Sequence, residues 1–316
     1  MDRLNIEWEI LEFLNRFSSN ALTIVFWFIS LIGGGEFTLL VILVLYYCYD
    51  KEKAEKIAFA SIFAMLTNGL IKNLVSASRP FEGLDGRTHL RKIDKNRTGH
   101  LSEIVNKLDD GATGPSFPSG HSQNVGSLFT SLTLYIRKKW MLIISIIVMI
   151  LIPLSRLYLG VHFPSDVIVG LAAGVVISTA LFYLLKFFHK KNISINYLYG
   201  ATAIIFLPFL FIFYNVPKAA DFFKTYGLFV GFFVGIMIEK KYVNFSTDVS
   251  LLKKGIRLIL ALCMLLMIKD NLKVIFNIIS VENNLLAMLR YLLTIFSVIG
   301  FLPFLFTRKS EYEKNN

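Results

Sequence analysis

The stretch Pro153-Leu-Ser-Arg-Leu-Tyr-Leu-Gly-Val-His-Phe-Pro-Ser-Asp166 decides which fold and which chemistry we expect. It places Arg156, His162 and Asp166 between two long apolar runs, where such side chains are costly unless they face water, a partner or a substrate. Pro164 suits the first turn of a helix, so we expect a helix to begin near it and to run through residues 167–188.

Two interpretations of these side chains are open. In the first, His162 lies beside a helix N-terminus that favours an anion, and Asp166 holds one of its ring nitrogens. The other nitrogen could then attack, and Arg156 would add a fixed, forked cation, which together indicate a phosphate site. In the second, His162 and Asp166 only cap a membrane helix. The stretch alone favours neither interpretation.

The composition is that of a polytopic membrane protein. Of the 316 residues 55% are hydrophobic, the mean hydropathy is +0.59, and the apolar runs are too many and too long for a soluble chain. The net charge of +11 does not indicate a nucleic-acid partner, because Lys and Arg cluster in short loops between apolar runs. Cys48 and Cys263 lie in or beside apolar runs and predict neither a disulfide nor a metal site.

The sequence predicts an all-α fold, a polytopic integral membrane helical bundle of about ten spans. Residues 1–19 predict an amphipathic helix at the membrane interface, because the apolar side chains of 6–17 lie near one face. We expect a six-span core over residues 20–190 and about four additional transmembrane helices over residues 191–316. The apolar runs are 21–32, 37–47, 57–75, 119–136, 141–154, 167–188, 198–214, 222–238, 256–268 and 285–306.

The basic residues of the loops predict the topology in the cell membrane. If every apolar run spans once, all five clusters of Lys and Arg fall on one side, which is then the cytoplasm. Both chain ends are expected on that side, and the regions of His121 and His162 on the external face. The clusters lie within residues 51–56, 137–139, 186–191, 240–254 and 308–309.

Residues 79–118 form one long polar segment, which we expect to be an external catalytic loop. Its Gly and Ser content and its lack of periodicity argue against regular structure, apart from a short helix near residues 101–108. A loop of this length in a compact protein is more often functional than idle. Its cations include Arg87, Arg91, Lys92, Lys95 and Arg97.

Two further segments join the stretch at 153–166 on the expected external face. The first, Lys72-x6-Arg79-Pro80, has a Lys at the end of a span and an Arg at the start of the loop. Taken alone, this segment favours the simpler explanation of a snorkelling Lys and an interfacial Arg.

The second segment, Pro118-Ser-Gly-His121, opens a span. Ser119 can cap the helix, Gly120 lets a backbone N–H approach a ligand closely, and His121 points into the same space. An ordinary Ser cap beside an interfacial His is the alternative.

Together the three segments resemble the type-2 phosphatidic acid phosphatase family, whose pattern is K-x6-R-P, P-S-G-H and S-R-x5-H-x3-D. Every fixed position of that pattern is present in order, and the resemblance covers residues 21–188. It implies a membrane lipid phosphatase that acts on a phospholipid or polyprenyl phosphate in the bilayer. Vanadium haloperoxidases have a similar anion cradle, but the apolar runs make a soluble peroxidase improbable.

The resemblance also implies a role for each motif residue. His162 is similar to the nucleophile that forms a phosphohistidine, Asp166 to the residue that orients it, and His121 to the general acid that later activates water. The residues implied to bind the phosphoryl oxygens are Lys72, Arg79, Ser119, Gly120 and Arg156. Fixed cations and N–H donors suit phosphoryl transfer because its transition state spreads charge over the equatorial oxygens. This scheme requires no metal and no cofactor.

We therefore expect hydrolysis of a phosphomonoester or diphosphate headgroup at the external leaflet. Undecaprenyl diphosphate is the favoured substrate, because the surplus of loop cations suits a diphosphate. Phosphatidic acid, phosphatidylglycerophosphate and a sugar phosphate are alternatives. A phosphotransferase would use the same phosphohistidine, and an inactive lipid-binding or transport protein would conflict with the intact motifs. The sequence decides neither the role of the last four spans nor the oligomeric state.

Overall fold

The computed structural model describes residues 4–80, 114–279 and 283–306, and within these ranges every regular element is helical. The expected all-α fold is therefore confirmed. The helices before the long loop are α1 Asn5–Asn15, α2 Asn20–Leu31, α3 Gly35–Val44 and α4 Lys51–Val75. Those after it are α5 Gly120–Ile136, α6 Lys139–Tyr158, α7 Pro164–Lys190, α8 Asn196–Ile212, α9 Ala220–Ile238, α10 Leu251–Ile279 and α11 Asn284–Phe296. Turns of π-helix extend α3, α9 and α11 over Leu45–Tyr49, Glu239–Val243 and Ser297–Phe301.

Fewer helices can span a membrane than the ten apolar runs predict. By length and composition five of the described helices could cross, or six if α2 and α3 count as one bent span. The five are Lys51–Val75, Lys139–Tyr158, Pro164–Lys190, Pro217–Val243 and Asn284–Phe306. The predicted runs in α5 and α8 belong to helices of only 17 residues each. The run at 256–268 lies in a 29-residue helix, α10, that also carries Lys269, Asp270 and Lys273.

The first two predicted spans, 21–32 and 37–47, are a bent pair. Helices α2 and α3 meet at 48° across a break of no more than four residues. Gly33 lies in this break, and a Cβ there would come within 2.8 Å of Cγ2 of Ile152 and 2.9 Å of Cβ of His121. A larger residue could not approach these two side chains as closely, so glycine is required at the bend.

The chain divides into two compact units that are not continuous in sequence. The first contains residues 1–38 and 67–183, and the second contains residues 39–66 and 184–316. Residues 39–66 thus group with the C-terminal helices. All the predicted site residues lie in the first unit.

In the first unit, glycines bring α5 and α7 into close backbone contact. A Cβ on Gly174 would lie 2.2 Å from the carbonyl oxygen of Gln123, and one on Gly170 would lie 2.5 Å from that of Ser119. Any side chain at these positions would force the helices apart. The contact brings Ser119 to the start of α7, where its N–H donates to the carbonyl of Asp166 at 2.9 Å.

The second unit buries a charged network. Glu55 and Glu239 are both buried, and each carboxylate is paired with a lysine: Glu55 with Lys240 at 2.6 Å and Glu239 with Lys51 at 2.9 Å. The hydroxyl of Tyr199 also donates to Glu55. Each buried carboxylate is thus compensated by a lysine, and removing that lysine would leave a costly unpaired charge inside the unit.

Helix α1 packs against the start of α7. Oε1 of Glu7 accepts the N–H of Ser165 at 3.0 Å, and the ring of Trp8 meets that of Phe163 edge-on at 4.8 Å. Both contacts are next to His162, so α1 lies at the same end of the first unit as the predicted site. If α2 and α3 form one bent span, that span and α4 would return the chain to the side on which α1 lies, so that α1 and the site share one side of the membrane.

Candidate active site

Local sequence sets the turn that presents His162. Gly160 adopts a left-handed φ of 65° after the last residue of α6, a conformation that glycine accepts and that ends a helix. Helix α7 begins at Pro164, so Asp166 is its third residue, and Oδ2 of Asp166 accepts the N–H of Phe163 at 2.9 Å. This bond is one half of a capping box. His162 is thereby held between a helix end and a helix start.

Backbone hydrogen bonds join the three motif segments to one another. The N–H of Ser116 donates to the carbonyl of Ala77 at 2.8 Å, which ties the segment before α5 to the residues after α4. The guanidinium of Arg79 donates to the carbonyls of Gly114 at 2.9 Å and Val161 at 3.0 Å. Arg79 therefore holds together the three pieces of chain from which the motifs come.

His162 is buried, with 2% of its surface exposed. Its Nδ1 lies 3.3 Å from Oγ of Ser116 and 3.5 Å from Oδ2 of Asp166. Its Nε2 lies 3.5 Å from Nη1 of Arg79. One ring nitrogen thus faces groups that orient the ring, and the other faces a cation that could hold a phosphoryl oxygen.

Electrostatics keep the His162 ring neutral. Its pKa is lowered to about 3, first by burial and then by the charges of Arg79, Arg156 and Lys72, while the nearby carboxylate of Asp166 acts in the opposite direction. At neutral pH the ring therefore has a lone pair available for attack. Three cations and one carboxylate act on this ring, and the excess of positive charge favours an anionic ligand.

Ser116 belongs to the site although the sequence analysis did not single it out. Its hydroxyl donates to Oδ2 of Asp166 at 2.5 Å, and no surface of the residue is exposed. The one sequence feature that could have indicated Ser116 is its position between Pro115 and Pro118, five residues before His121. That serine fell within the segment predicted as an irregular loop.

His121 lies in the first turn of α5, and its surroundings come from several segments. Oγ of Ser119 accepts the N–H of Ser122 at 3.4 Å, so Ser119 caps α5. A Cβ on Gly120 would lie 3.3 Å from Oδ1 of Asn68, which leaves little room for a side chain there. The charges of Arg156, Lys72 and Arg79 act on His121 as they do on His162, so both histidines belong to the same cluster.

The remaining two cations reach the cluster from different helices. Nη1 of Arg156, in the last turn of α6, donates to Oγ of Ser30 at 2.8 Å, and both residues are buried. Ser30 precedes the bend between α2 and α3, so the bent pair helps to position Arg156. Lys72, in the last turn of α4, is half-buried and contributes its charge to both histidines.

The structure thus brings every predicted site residue into one cluster of the first unit. The loop cations between Arg87 and Arg97, His89, His100 and the short helix expected near 101–108 lie outside the described residues. Within residues 4–80, 114–279 and 283–306, no group of three or more His, Cys, Asp or Glu could hold a metal ion.

Parts of this chain are similar in sequence to known proteins. It is 36% identical over 85 residues to phosphatidylglycerophosphatase B of Bacillus subtilis, a match covering 24% of this chain and 40% of that protein. It is 44% identical over 71 residues to an undecaprenyl-diphosphatase of Sulfolobus acidocaldarius, covering 22% of this chain and 34% of that protein. The chain therefore spans less than half the length of these relatives. The crystal structure of Aquifex aeolicus LpxE matches with a TM-score of 0.45 and 21% identity, covering 58% of this chain and 98% of that one.

Two family models match longer parts of the chain. The model described as PAP2 superfamily matches residues 53–190, which contain all three motifs. The model described as PAP2 superfamily phosphatase, transmembrane extension, matches residues 223–314, a region that the sequence resemblance left out. Since both models describe one superfamily and together match more than half of the sequence, the chain belongs to the PAP2 superfamily.

Proposed function

We propose that the protein is an integral membrane phosphatase that removes phosphate from a lipid headgroup through a phosphohistidine on His162. One observation carries the proposal: Nδ1 of His162 is held by Ser116 and Asp166, while Nε2 faces Arg79 at 3.5 Å. A neutral, oriented imidazole beside a buried guanidinium suits in-line attack on an anionic phosphorus.

In the first step, the lone pair on Nε2 of His162 attacks phosphorus. The P–N bond forms as the P–O bond to the leaving group breaks, and His121, in its protonated imidazolium form, gives its proton to the departing oxygen. Charge that develops on the phosphoryl oxygens is stabilised by donors already fixed in place. These donors are Lys72, Arg79, Arg156, Ser119 and the N–H of Gly120.

In the second step, neutral His121 takes a proton from water, and the water oxygen attacks phosphorus. The P–N bond breaks, its electron pair returns to Nε2 of His162, and inorganic phosphate leaves. One water is consumed, and both histidines return to their starting states. The lipid product is a lipid monophosphate when the substrate is a diphosphate, and it carries a free hydroxyl when the substrate is a monoester.

The positions of the site residues on their helices support a lipid substrate. Lys72 ends α4, Arg156 ends α6 and Asp166 begins α7, and all three helices are candidate membrane spans. A headgroup can reach residues at helix ends while its acyl or prenyl tail stays in the bilayer. A water-soluble phosphate gains nothing from this position.

A diphosphate headgroup is the substrate we favour. The sequence after Arg79 carries five cations between residues 87 and 97, more than a monoester needs. The undecaprenyl-diphosphatase relative is consistent with this choice, and the phosphatidylglycerophosphatase relative with a monoester.

We expect kcat/KM for a polyprenyl diphosphate to exceed that for phosphatidic acid in the same detergent. The double variant Arg91→Gln, Lys92→Gln should lose more activity on the diphosphate, because the second phosphate loses its counter-charge. Phosphate release from both lipids measures this, with Lys138→Gln, Lys139→Gln as the charge-matched control. A higher kcat/KM for phosphatidic acid, or equal losses on both lipids, would leave only the general lipid-phosphatase proposal.

We further propose that the basic clusters face the cytoplasm and that the site and α1 face outward. The cations at 137–139 lie at the opposite ends of α5 and α6 from His121 and Arg156, consistent with the positive-inside rule. Three exposed, apolar side chains of α1, Ile6, Ile10 and Phe13, suit an interfacial helix, and the exposed Phe17 follows just after its end.

Cysteine labelling tests these faces. With Cys48 and Cys263 replaced by Ser, an impermeant thiol reagent should label Glu9→Cys and Ser102→Cys in intact cells. Lys138→Cys and Lys190→Cys should react only after the cells are opened. Labelling of position 138 in intact cells would show that the two faces are assigned the wrong way round. Labelling of position 9 only in opened cells would show that the N-terminus lies in the cytoplasm.

A further inference from the structure

We propose that Ser116 is a positioning residue that fixes the His162 ring with its proton on Nδ1 and its lone pair on Nε2. The proposal deepens the proposed function, since it concerns the nucleophile of that reaction. Ser116 does not serve as a ligand for the phosphoryl group. It acts through His162 and Asp166.

The distances show which contact is the strong one. Oγ of Ser116 lies 2.5 Å from Oδ2 of Asp166, the separation of a hydrogen bond between a hydroxyl and a carboxylate. The direct separation from Nδ1 of His162 to Oδ2 is 3.5 Å, longer than an ordinary hydrogen bond. Oγ lies 3.3 Å from Nδ1. The carboxylate therefore reaches the ring chiefly through the serine hydroxyl.

Counting donors and acceptors then assigns the tautomer. A serine hydroxyl has one proton and two lone pairs, and an ionised carboxylate only accepts. The proton of Ser116 must therefore go to Asp166, so Oγ turns a lone pair toward Nδ1 of His162. Nδ1 can form a hydrogen bond with that lone pair only if Nδ1 carries the proton. In the neutral ring this leaves Nε2 unprotonated, and Nε2 faces Arg79.

The position of the hydroxyl is fixed from outside the His162 segment. The N–H of Ser116 donates to the carbonyl of Ala77, and Arg79 donates to the carbonyl of Gly114, two residues before the serine. The Lys72–Arg79 motif thus holds the residue that orients the nucleophile. Any movement of that motif changes both the phosphate cradle and the alignment of His162.

Loss of the hydroxyl should affect chemistry more than binding. In Ser116→Ala, Nδ1 of His162 loses its nearest acceptor and Asp166 loses its shortest bond, so the protein can also populate the form with the proton on Nε2. We expect kcat to fall about 10- to 100-fold. KM and competitive inhibition by inorganic phosphate should stay near wild-type values, because no phosphate-binding side chain is changed.

The matched control is Ser127→Ala. Ser127 is equally buried in α5, and its hydroxyl bonds that of Ser178 at 2.7 Å, so its loss removes a buried hydrogen bond without changing a group at the site. Ser116→Thr keeps a hydroxyl at position 116 and should retain more activity than Ser116→Ala. Thermal unfolding in detergent checks that each variant is folded.

The deciding measurement needs no substrate. Nitrogen-15 NMR of histidine-labelled protein distinguishes the two neutral tautomers, with His162→Gln used to assign the signal. Wild type should carry the proton on Nδ1 of His162, and Ser116→Ala should shift the population toward Nε2–H, while Ser127→Ala should not. Rapid-quench kinetics should show slower phosphohistidine formation in Ser116→Ala.

The outcomes separate this proposal from the proposed function. An unchanged tautomer in Ser116→Ala, or a kcat loss no larger than that of Ser127→Ala, overturns the role of Ser116. A tautomer shift in a protein that releases phosphate from no lipid supports the positioning role and overturns the proposed function.

Discussion

Replacing His162 with Ala should abolish turnover, lowering kcat by about 10⁴-fold or more, as expected when a covalent nucleophile is removed. The residue is buried, and the groups that hold its ring, Ser116 and Asp166, cannot take over the attack on phosphorus. Alanine leaves Arg79 and the rest of the cradle in place, so the lipid should still bind while its phosphate is not transferred.

The measurement is the trapping of a phosphoenzyme from radiolabelled lipid. Wild type should retain label that survives base and is released by acid, as a phosphoramidate bond does, and His162→Ala should retain none. His189→Ala is the matched control, because His189 is an exposed histidine at the far end of α7. Near-normal turnover in His162→Ala would remove the covalent mechanism.

Replacing His121 with Ala should lower kcat on a lipid by about 10²–10⁴-fold, the usual contribution of general acid–base catalysis. A lipid monoester such as phosphatidic acid leaves as an alkoxide unless the alkoxide is protonated, and His121 is the proposed proton donor. A p-nitrophenyl ester leaves without a proton, so its first step should be nearly normal in His121→Ala. Its second step still needs His121 to activate water and should be slow.

A fast first step and a slow second step predict a burst of p-nitrophenol release. With p-nitrophenyl phosphate, His121→Ala should release about one p-nitrophenol per enzyme quickly and then turn over slowly, as a phosphohistidine accumulates. The double variant with His162→Ala should show no burst. Equal losses on the lipid and the p-nitrophenyl ester, with no burst, would assign the proton transfers to another group.

Local sequence determined the class of protein and the positions of the motifs. The length of the apolar runs indicates a membrane protein because bilayer thickness sets helix length. Pro164 begins α7 and Ser119 caps α5, both as predicted, because helix starts depend on the few residues around them. The match to the PAP2 superfamily over residues 53–190 includes all three motifs.

The bend between α2 and α3 and the contact between α1 and the site could not be predicted in this way. An apolar run does not encode its angle to the next run, and the bend at Gly33 depends on contacts with Ile152 and His121, which are far away in sequence. Counting each run as a full crossing therefore separated α1 from the site. The contact between Glu7 and Ser165 places them together.

Ser116 shows most clearly what only the tertiary structure decided. The sequence alone indicated that His162 and Asp166 form a pair, because they are four residues apart at a helix start. The side-chain partners of Ser116, His162 and Asp166, are 46 and 50 positions away, and no residue near Ser116 in the sequence indicates them. Ser116 meets these partners because glycines let α5 pack closely on α7 and because Arg79 and Ala77 hold the segment before α5. A local sequence pattern does not predict such long-range packing.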